Sequence, residues 1–245
     1  MTSPALLGAV GEVGKGFIQE RNSDTLPCQA DTSKVFCWDW ARENIDRYGT
    51  PTVQHLELVV ISVLLGFAVA FALALLSHRR RWLQPPLLAT TGVLFTIPSV
   101  AFFFLLEPFT GRGRDTAIVA LGIYTLQIIY RNTMVGLANV PESVKDAARG
   151  MGLTDRQILW KVELPLATPE IVTGLQIATV STVAIATLAV FVGGGGLGVP
   201  MKTGIDFSTN LIIAGGIAFL MAIGFGLLLL GAQRLLTPWR RRAAT

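Results

Sequence analysis

Charge is what this sequence has least of. Asp, Glu, Lys and Arg make up 15% of its 245 residues, against roughly 25% in an average soluble domain. Hydrophobic residues make up 51%, and the mean hydropathy is +0.56. Together with long uncharged runs, this shortage argues against several buried core helices of a soluble protein and for an integral membrane protein. The net charge of +4 comes without a basic patch interleaved with aromatics, which argues against nucleic acid as a partner. In a membrane protein such charges anchor the cytoplasmic side. A secretory signal peptide is not expected, because no basic residue precedes Lys15 and the apolar run 4–10 is short. The first span would then serve as its own targeting signal.

Catalytic and metal chemistry is also scarce. The two histidines, His55 and His78, lie at opposite ends of the first apolar run with no ligand partner at metal spacing, and no HExxH occurs. No GxSxG nucleophile elbow is present. The run GEVGKG at 11–16 is not a phosphate loop: Ala9 stands where the first glycine belongs and Gly16 where Ser or Thr belongs. No catalytic or metal-ligating residues are assigned. The span centres lack ionisable residues, which ion-coupled carriers keep near the midplane, so the pathway is expected to draw its energy from elsewhere.

What is present is five apolar runs, at about 56–76, 87–106, 116–137, 169–192 and 211–236. Each is close to the ~20 residues that cross ~30 Å of hydrocarbon. Gln127, Arg131 and Asn132 interrupt the third, and Arg131 is expected to mark its end near the interface. Three basic groups follow alternate spans: Arg79, Arg80 and Arg81; Lys145, Arg149, Arg156 and Lys161; Arg234 and Arg240, Arg241 and Arg242. With five spans all three share one side, the cytoplasmic one, placing the N-terminus outside and the C-terminus inside. The chain then divides into an external segment 1–51, a transmembrane domain 52–236 and a basic cytoplasmic tail 237–245. Leu6, Leu7, Val10, Val13, Phe17 and Ile18 recur at helical spacing, as for a helix lying on the membrane or packed on the protein itself. Cys28 and Cys37 would form a disulfide outside the cytoplasm or remain two thiols. Trp38 and Trp40 suit an interfacial belt.

The segment between the third and fourth spans, residues 139–168, is polar and patterned. Val144, Ala147, Ala148 and Met151 fall on one helical face. Asn139 with Glu142 is a candidate cap for this helix, and Gly150 and Gly152 would end it. Thr154 with Gln157 is a second candidate capping box, opening a helix that Pro165 would stop, while Thr168 and Pro169 would start the fourth span. Its acidic residues (Glu142, Asp146, Asp155, Glu163) balance its basic ones. That balance, with small alanines, suits docking on a protein groove or a solvated linker better than a lipid surface. In the second span Pro98 is expected to kink the helix, and kinked helices often line pathways.

These residues resemble the cytoplasmic loop signature of permease subunits of bacterial ABC importers. The signature reads here as Asp146-Ala147-Ala148, Gly152, Val162 and Leu164-Pro165, with matching spacing throughout and Asp146 where the family commonly has glutamate. The stretches HLELVVISV, IPSVAFFFL, IYRNTMVGL, KVELPLATPEIVTGLQIA and VGGGGLG are similar to the glycine betaine/carnitine/choline/proline (osmoprotectant) class, over roughly 55–230. The resemblance implies an all-α membrane protein with the five-helix type I (MetI-like) permease fold in the bacterial cytoplasmic membrane. It implies a partner permease subunit, identical or paralogous, two ATPase subunits that carry the ATP and Mg2+, and an extracytoplasmic binding protein. Asp146, Ala147, Ala148 and Gly152 would dock the ATPase, and Val162, Leu164 and Pro165 would carry motion to the fourth span. Phe95, Pro98, Ser99 and Tyr124 are candidate pathway residues. Phe95, Phe102 and Tyr124 would offer aromatic faces to a cation, or simply face lipid or core. Other substrates (ergothioneine, an amino acid), a self-contained channel and a secondary carrier are the alternatives.

Overall fold

In the computed structural model, residues 35–204 and 207–238 are described. They are helical throughout, with no strand among them. A short helix α1 (Trp38–Asn44) and a 3-10 turn (Ile45–Tyr48) lead into α2 (Gly49–Arg79). Next come α3 (Gln84–Thr96), α4 (Ser99–Thr110), α5 (Arg114–Ala138), α6 (Glu142–Gly150) and α7 (Asp155–Ile158). The last are α8 (Leu164–Ala186), a 3-10 segment (Thr187–Val192), α9 (Gly198–Thr203) and α10 (Ser208–Leu236). Four helical stretches are long and apolar enough to cross a membrane: Trp38–Arg79, Arg114–Ala138, Asp155–Val192 and Ser208–Leu236. A fifth crossing exists if α3 and α4 count as one broken span.

The break falls at Pro98, where a kink is expected. Pro98 does more than kink the helix. A proline pushes the residue before it out of helical geometry, and Ile97 is extended (φ −66°, ψ 129°), so the run splits into α3 and α4. Pro85 and Pro86 fit the first turn of α3, where no N–H partner is lost. Helix α5 runs from Arg114 to Ala138, close to the 116–137 expected for the third span.

The described residues form two compact units, 35–59, 99–118, 183–204 and 207–221 in one, and 60–98, 119–182 and 222–238 in the other. In the first unit the segment before α2 is pinned to the start of α10. The Cys37 N–H donates to Thr209 Oγ1 (3.0 Å), Ser208 Oγ donates to the Val35 carbonyl (2.6 Å), and the Tyr48 hydroxyl donates to Asn210 Oδ1. Trp40 is buried edge-on against Phe207 at 4.9 Å. It therefore does not join Trp38, which is exposed, in an interfacial belt. The 193–198 turn is tight: Gly193, Gly195 and Gly196 have φ of 76°, 80° and 81°, and the Gly196 N–H donates to Gln54 Oε1 (3.2 Å). His55 is fully buried beside it and bonds through Nε2 to the Val183 carbonyl (3.1 Å).

In the second unit, one core cluster joins Ala70, Ala74, Ile129, Tyr130 and Ala178, and another joins Leu137, Leu159, Leu164, Ala167 and Ile171. Small residues allow the helices to approach closely. A Cβ on Gly66 would stand 1.6 Å from Thr125 Oγ1, so α2 and α5 meet there only because Gly66 has none. Several polar groups on the apolar helices find partners across the unit, although the buried Ser62 Oγ and Thr133 Oγ1 do not. The Tyr130 hydroxyl donates to Ser77 Oγ (3.0 Å), Gln176 Nε2 to the Gly226 carbonyl (3.2 Å) and Gln233 Nε2 to the Pro169 carbonyl (2.8 Å). Gln127, which interrupts the third apolar run, accepts from Thr91 Oγ1.

Candidate functional site

The polar segment 139–168 lies wholly in the second unit and is built from short-range rules. Helix α6 starts behind Pro141, which has extended geometry and makes no side-chain cap. The expected cap by Asn139 and Glu142 does not form, because the Glu142 carboxylate is engaged elsewhere. It accepts from Lys145 Nζ (2.7 Å) and from Arg149 Nη1 (3.0 Å). Those two hydrogen bonds hold the Glu142 carboxyl below its usual range. The bonds to Glu142 and Asp146 raise Arg149 in turn. All of this lies at the surface, where such pairs add little stability.

The end of α6 is set by a Schellman motif. The Gly152 N–H reaches the Arg149 carbonyl (2.9 Å) and the Leu153 N–H reaches the Ala148 carbonyl (3.2 Å), with Gly152 left-handed at φ 81°. Thr154 then caps α7 as its spacing predicts: the Gln157 N–H donates to Thr154 Oγ1 (3.4 Å) and the Thr154 N–H donates to Gln157 Oε1 (2.9 Å).

Pro165 does not stop the helix that follows, and Thr168 does not cap a new one. The chain stays helical from Asp155 to Val192, with both Pro165 and Pro169 inside it. The residues Leu159–Glu163 form a π-helical turn, in which the Leu164 N–H bonds to the Leu159 carbonyl. Such a wide turn shifts the hydrogen-bond register just before Pro165, whose ring carries no N–H. Thr168 Oγ1 donates back to the Leu164 carbonyl (2.9 Å). The loop and the fourth span are thus mechanically continuous.

The face expected to be apolar is divided. Ala148 is buried, while Val144, Ala147 and Met151 are exposed, Met151 at 74%. Of the seven signature residues, Asp146, Ala147 and Gly152 are exposed on α6 and its turn. Ala148 and Leu164 are buried, and Val162 and Pro165 are half-buried. One set presents a surface of small, apolar and acidic groups, and the other ties that surface to the core. Three charged residues were underrated by the sequence pattern. Glu163, expected among solvated charges, is buried; its Oε2 accepts from His78 Nε2 at 2.7 Å, and its Oε1 lies 4.0 Å from Lys145 Nζ.

The pathway candidates are only partly brought together. Phe95 and Tyr124 meet edge-on at 5.8 Å, and the Tyr124 hydroxyl donates to the Ile97 carbonyl that the break before Pro98 leaves free. Pro98 is exposed. Ser99 opens α4 in the first unit. Phe102 is buried, in accord with its core-facing alternative. Cys37 is buried, while Cys28, the N-terminal helical pattern at 6–18 and Arg240, Arg241 and Arg242 lie outside the described residues. No cluster of three or more potential metal ligands occurs among the described residues.

Helices with this loop and these neighbours occur in a known class of membrane transporters. The inward-facing MetNI methionine ABC transporter aligns with a TM-score of 0.62 at 24% identity, covering 78% of this chain and 93% of that one. The crystal structure of an amino acid ABC transporter with histidines aligns with a TM-score of 0.69 at 18% identity, covering 81% and 98%. The fold is therefore that of an ABC transporter permease. Residues 62–242 match the family described as "Binding-protein-dependent transport system inner membrane component", and the chain belongs to it as a multi-pass transport subunit. Curated relatives include the osmoprotectant import permease protein OsmW of Salmonella typhimurium, 36% identical over 80% of this chain and 94% of that protein. The choline transport system permease protein OpuBB of Bacillus subtilis is 34% identical over 76% and 87%. The carnitine transport permease protein OpuCB of Listeria monocytogenes is 36% identical over 72% and 81%.

Proposed function

We propose that this chain is the translocation subunit of an ATP-driven importer for small zwitterions or quaternary amines such as glycine betaine, choline, carnitine or proline. The names of its relatives support that substrate class. A separate ATPase with its ATP and Mg2+ grips the loop 146–165 from the cytoplasm. Two such ATPases act on a pair of permease subunits, and an extracytoplasmic binding protein delivers the solute. The chain sits in the cytoplasmic membrane with its N-terminus outside, where Cys28 and Cys37 pair.

The observation that carries this reading is the form of the loop. Asp146, Ala147, Met151 and Gly152 are exposed on a helix whose end is capped and whose continuation is one unbroken helix from Asp155 to Val192. A surface held in this way can receive a push and pass it on without bending. Phe95 and Tyr124 are the aromatic pair assigned to the pathway.

The test is assembly and uptake. The tagged chain is expressed with its ATPase and binding protein, purified as a complex and placed in liposomes, with glycine betaine, choline, carnitine and proline offered as radiolabelled probes. Uptake of at least one probe should require ATP and the binding protein. Asp146→Lys should still insert but should lose about tenfold or more of the co-purified ATPase, as expected for a like-charge or misplaced contact costing ~1.4 kcal/mol. Uptake by this chain alone, without ATP, would refute the importer reading. Full ATPase retention by Asp146→Lys would refute the docking role.

A further inference from the structure

Glu163 is an expensive residue for its position. Its side chain is only 9% exposed, and a buried carboxylate persists only if paired. An apolar side chain of similar size would serve the core of Leu159 and Leu164 as well or better. Its partners come from two other elements. His78, in the last turn of α2, donates from Nε2 to Glu163 Oε2 at 2.7 Å, and its side chain is 24% exposed. Lys145 of α6, with a side chain 12% exposed, places Nζ 4.0 Å from Glu163 Oε1 and 2.7 Å from Glu142 Oε2. Glu142 accepts from Arg149, which also donates to Asp146 Oδ1 at 2.7 Å. A continuous line of charge therefore runs from the exposed Asp146, through α6, to the π-helical turn and the end of α2.

The line joins elements that covalent continuity does not. Helix α6 connects to α8 through the chain itself, because Asp155–Val192 is one helical stretch. Nothing in the sequence near α6 leads to α2, which ends at Arg79. Apolar packing makes one such connection, where Phe67, Phe71 and Leu75 of α2 lie against the cluster of Leu137, Leu159, Leu164, Ala167 and Ile171, and the contact with His78 adds a polar one at the C-terminal end of α2. Single-sided attachment would let α6 pivot about the turn at Gly152. Attachment at both ends makes α6, the π-turn and the end of α2 move as one body.

We propose that Glu163 and His78 are positioning residues that tie the coupling helix to the end of α2, so that a displacement of α6 is delivered to α2 as well as α8. This rests on the docking role assigned above to the loop. It adds a second output to that role, through residues outside the signature.

The experiment reads stoichiometry. The permease–ATPase–binding protein complex in liposomes is assayed for ATP hydrolysed per probe molecule imported, with the same four radiolabelled probes. Glu163→Ala and His78→Ala should each raise that ratio about threefold or more, and the double variant should raise it no further than the stronger single one, as for two residues acting through one contact. Glu163→Gln, which keeps an acceptor for His78, should fall between wild type and Glu163→Ala. Loss of packing alone would lower the amount of complex, and with it uptake and hydrolysis together, leaving the ratio at the wild-type value. If Glu163→Ala does not reach the membrane, the Gln variant, which keeps the volume, is judged by the same rise above wild type. A wild-type ratio in the single variants, or independent effects in the double variant, would overturn the proposal while the ATPase still co-purifies with the wild-type chain. Failure of the wild-type chain to hold the ATPase at all would overturn the docking role and this link with it.

Discussion

Gly152 shows how one residue sets the geometry of the loop at 139–168. Its φ of 81° lies in the left-handed region, open to glycine and costly by ~1–2 kcal/mol to a residue with a Cβ. No steric neighbour stands within 4 Å, so space is not the constraint; the backbone is. Gly152→Val should therefore insert normally yet release ATPase on purification by about fivefold or more, in line with a 1–2 kcal/mol strain on the docking turn. Gly150→Ala, two residues away, has neither positive φ nor a close neighbour and should retain the ATPase fully. Equal behaviour of the two variants would show that the turn conformation does not matter. Gly152 was readable from sequence because glycine after a helical run is a local signal. Glu163 was not. A glutamate two residues after a lysine looks like any solvated charge, and the partner of its buried carboxylate is His78, a residue far away in the chain.

At the level of elements, the informative feature is where helices break and where they fail to break. Pro98 breaks one, whereas Pro165 and Pro169 do not. The difference lies in the surroundings of each ring. Before Pro98 the chain turns extended at Ile97 and the Tyr124 hydroxyl takes up the Ile97 carbonyl. Before Pro165 a π-turn absorbs the ring without leaving the helix. Pro98→Ala should allow helical hydrogen bonds to reform between α3 and α4. Amide exchange at 97–101 should then slow by about fivefold or more, the effect of a hydrogen bond worth ~1 kcal/mol. Uptake should fall as well, if the break belongs to the pathway. Unchanged exchange would mean that packing rather than the proline holds the break open. Proline positions are plain in a sequence, and so is the Thr154–Gln157 cap. Whether a proline breaks a helix or is absorbed depends on the local turn before it and, at Pro98, on a hydrogen-bond partner supplied by another helix.

For the whole molecule, the number of crossings sets the topology. Four continuous stretches qualify, and the α3–α4 pair adds a fifth only if it crosses as one broken span. Parity then fixes the sides of the basic groups. With five crossings Arg80 and Arg156 share the cytoplasmic side and Arg112 faces outward. With a re-entrant pair, Arg80 and Arg112 would share a side and Arg156 would lie across from them. Single cysteines at these three positions, in a variant lacking Cys28 and Cys37, distinguish the two. An impermeant maleimide should label Arg112→Cys in intact cells, and Arg80→Cys and Arg156→Cys only after permeabilisation. Arg80 and Arg112 labelled together would rule out five crossings.

Composition and hydropathy alone were enough for a multi-helix membrane protein, because an apolar run long enough to span hydrocarbon has few other uses. The spacing of Asp146-Ala147-Ala148, Gly152 and Leu164-Pro165 was enough for the family, because the whole signature is contained in one short segment of the chain. Three things needed the tertiary structure: the clean break at Ile97–Pro98, the uninterrupted helix through Pro165, and the buried line of charge from α6 to His78. The first and the last depend on groups distant in sequence that meet only after folding, whereas the helix through Pro165 rests on a π-turn that no motif in the sequence announces. Periodicity and motifs report what a segment prefers, whereas contacts between segments decide whether a charge is solvated.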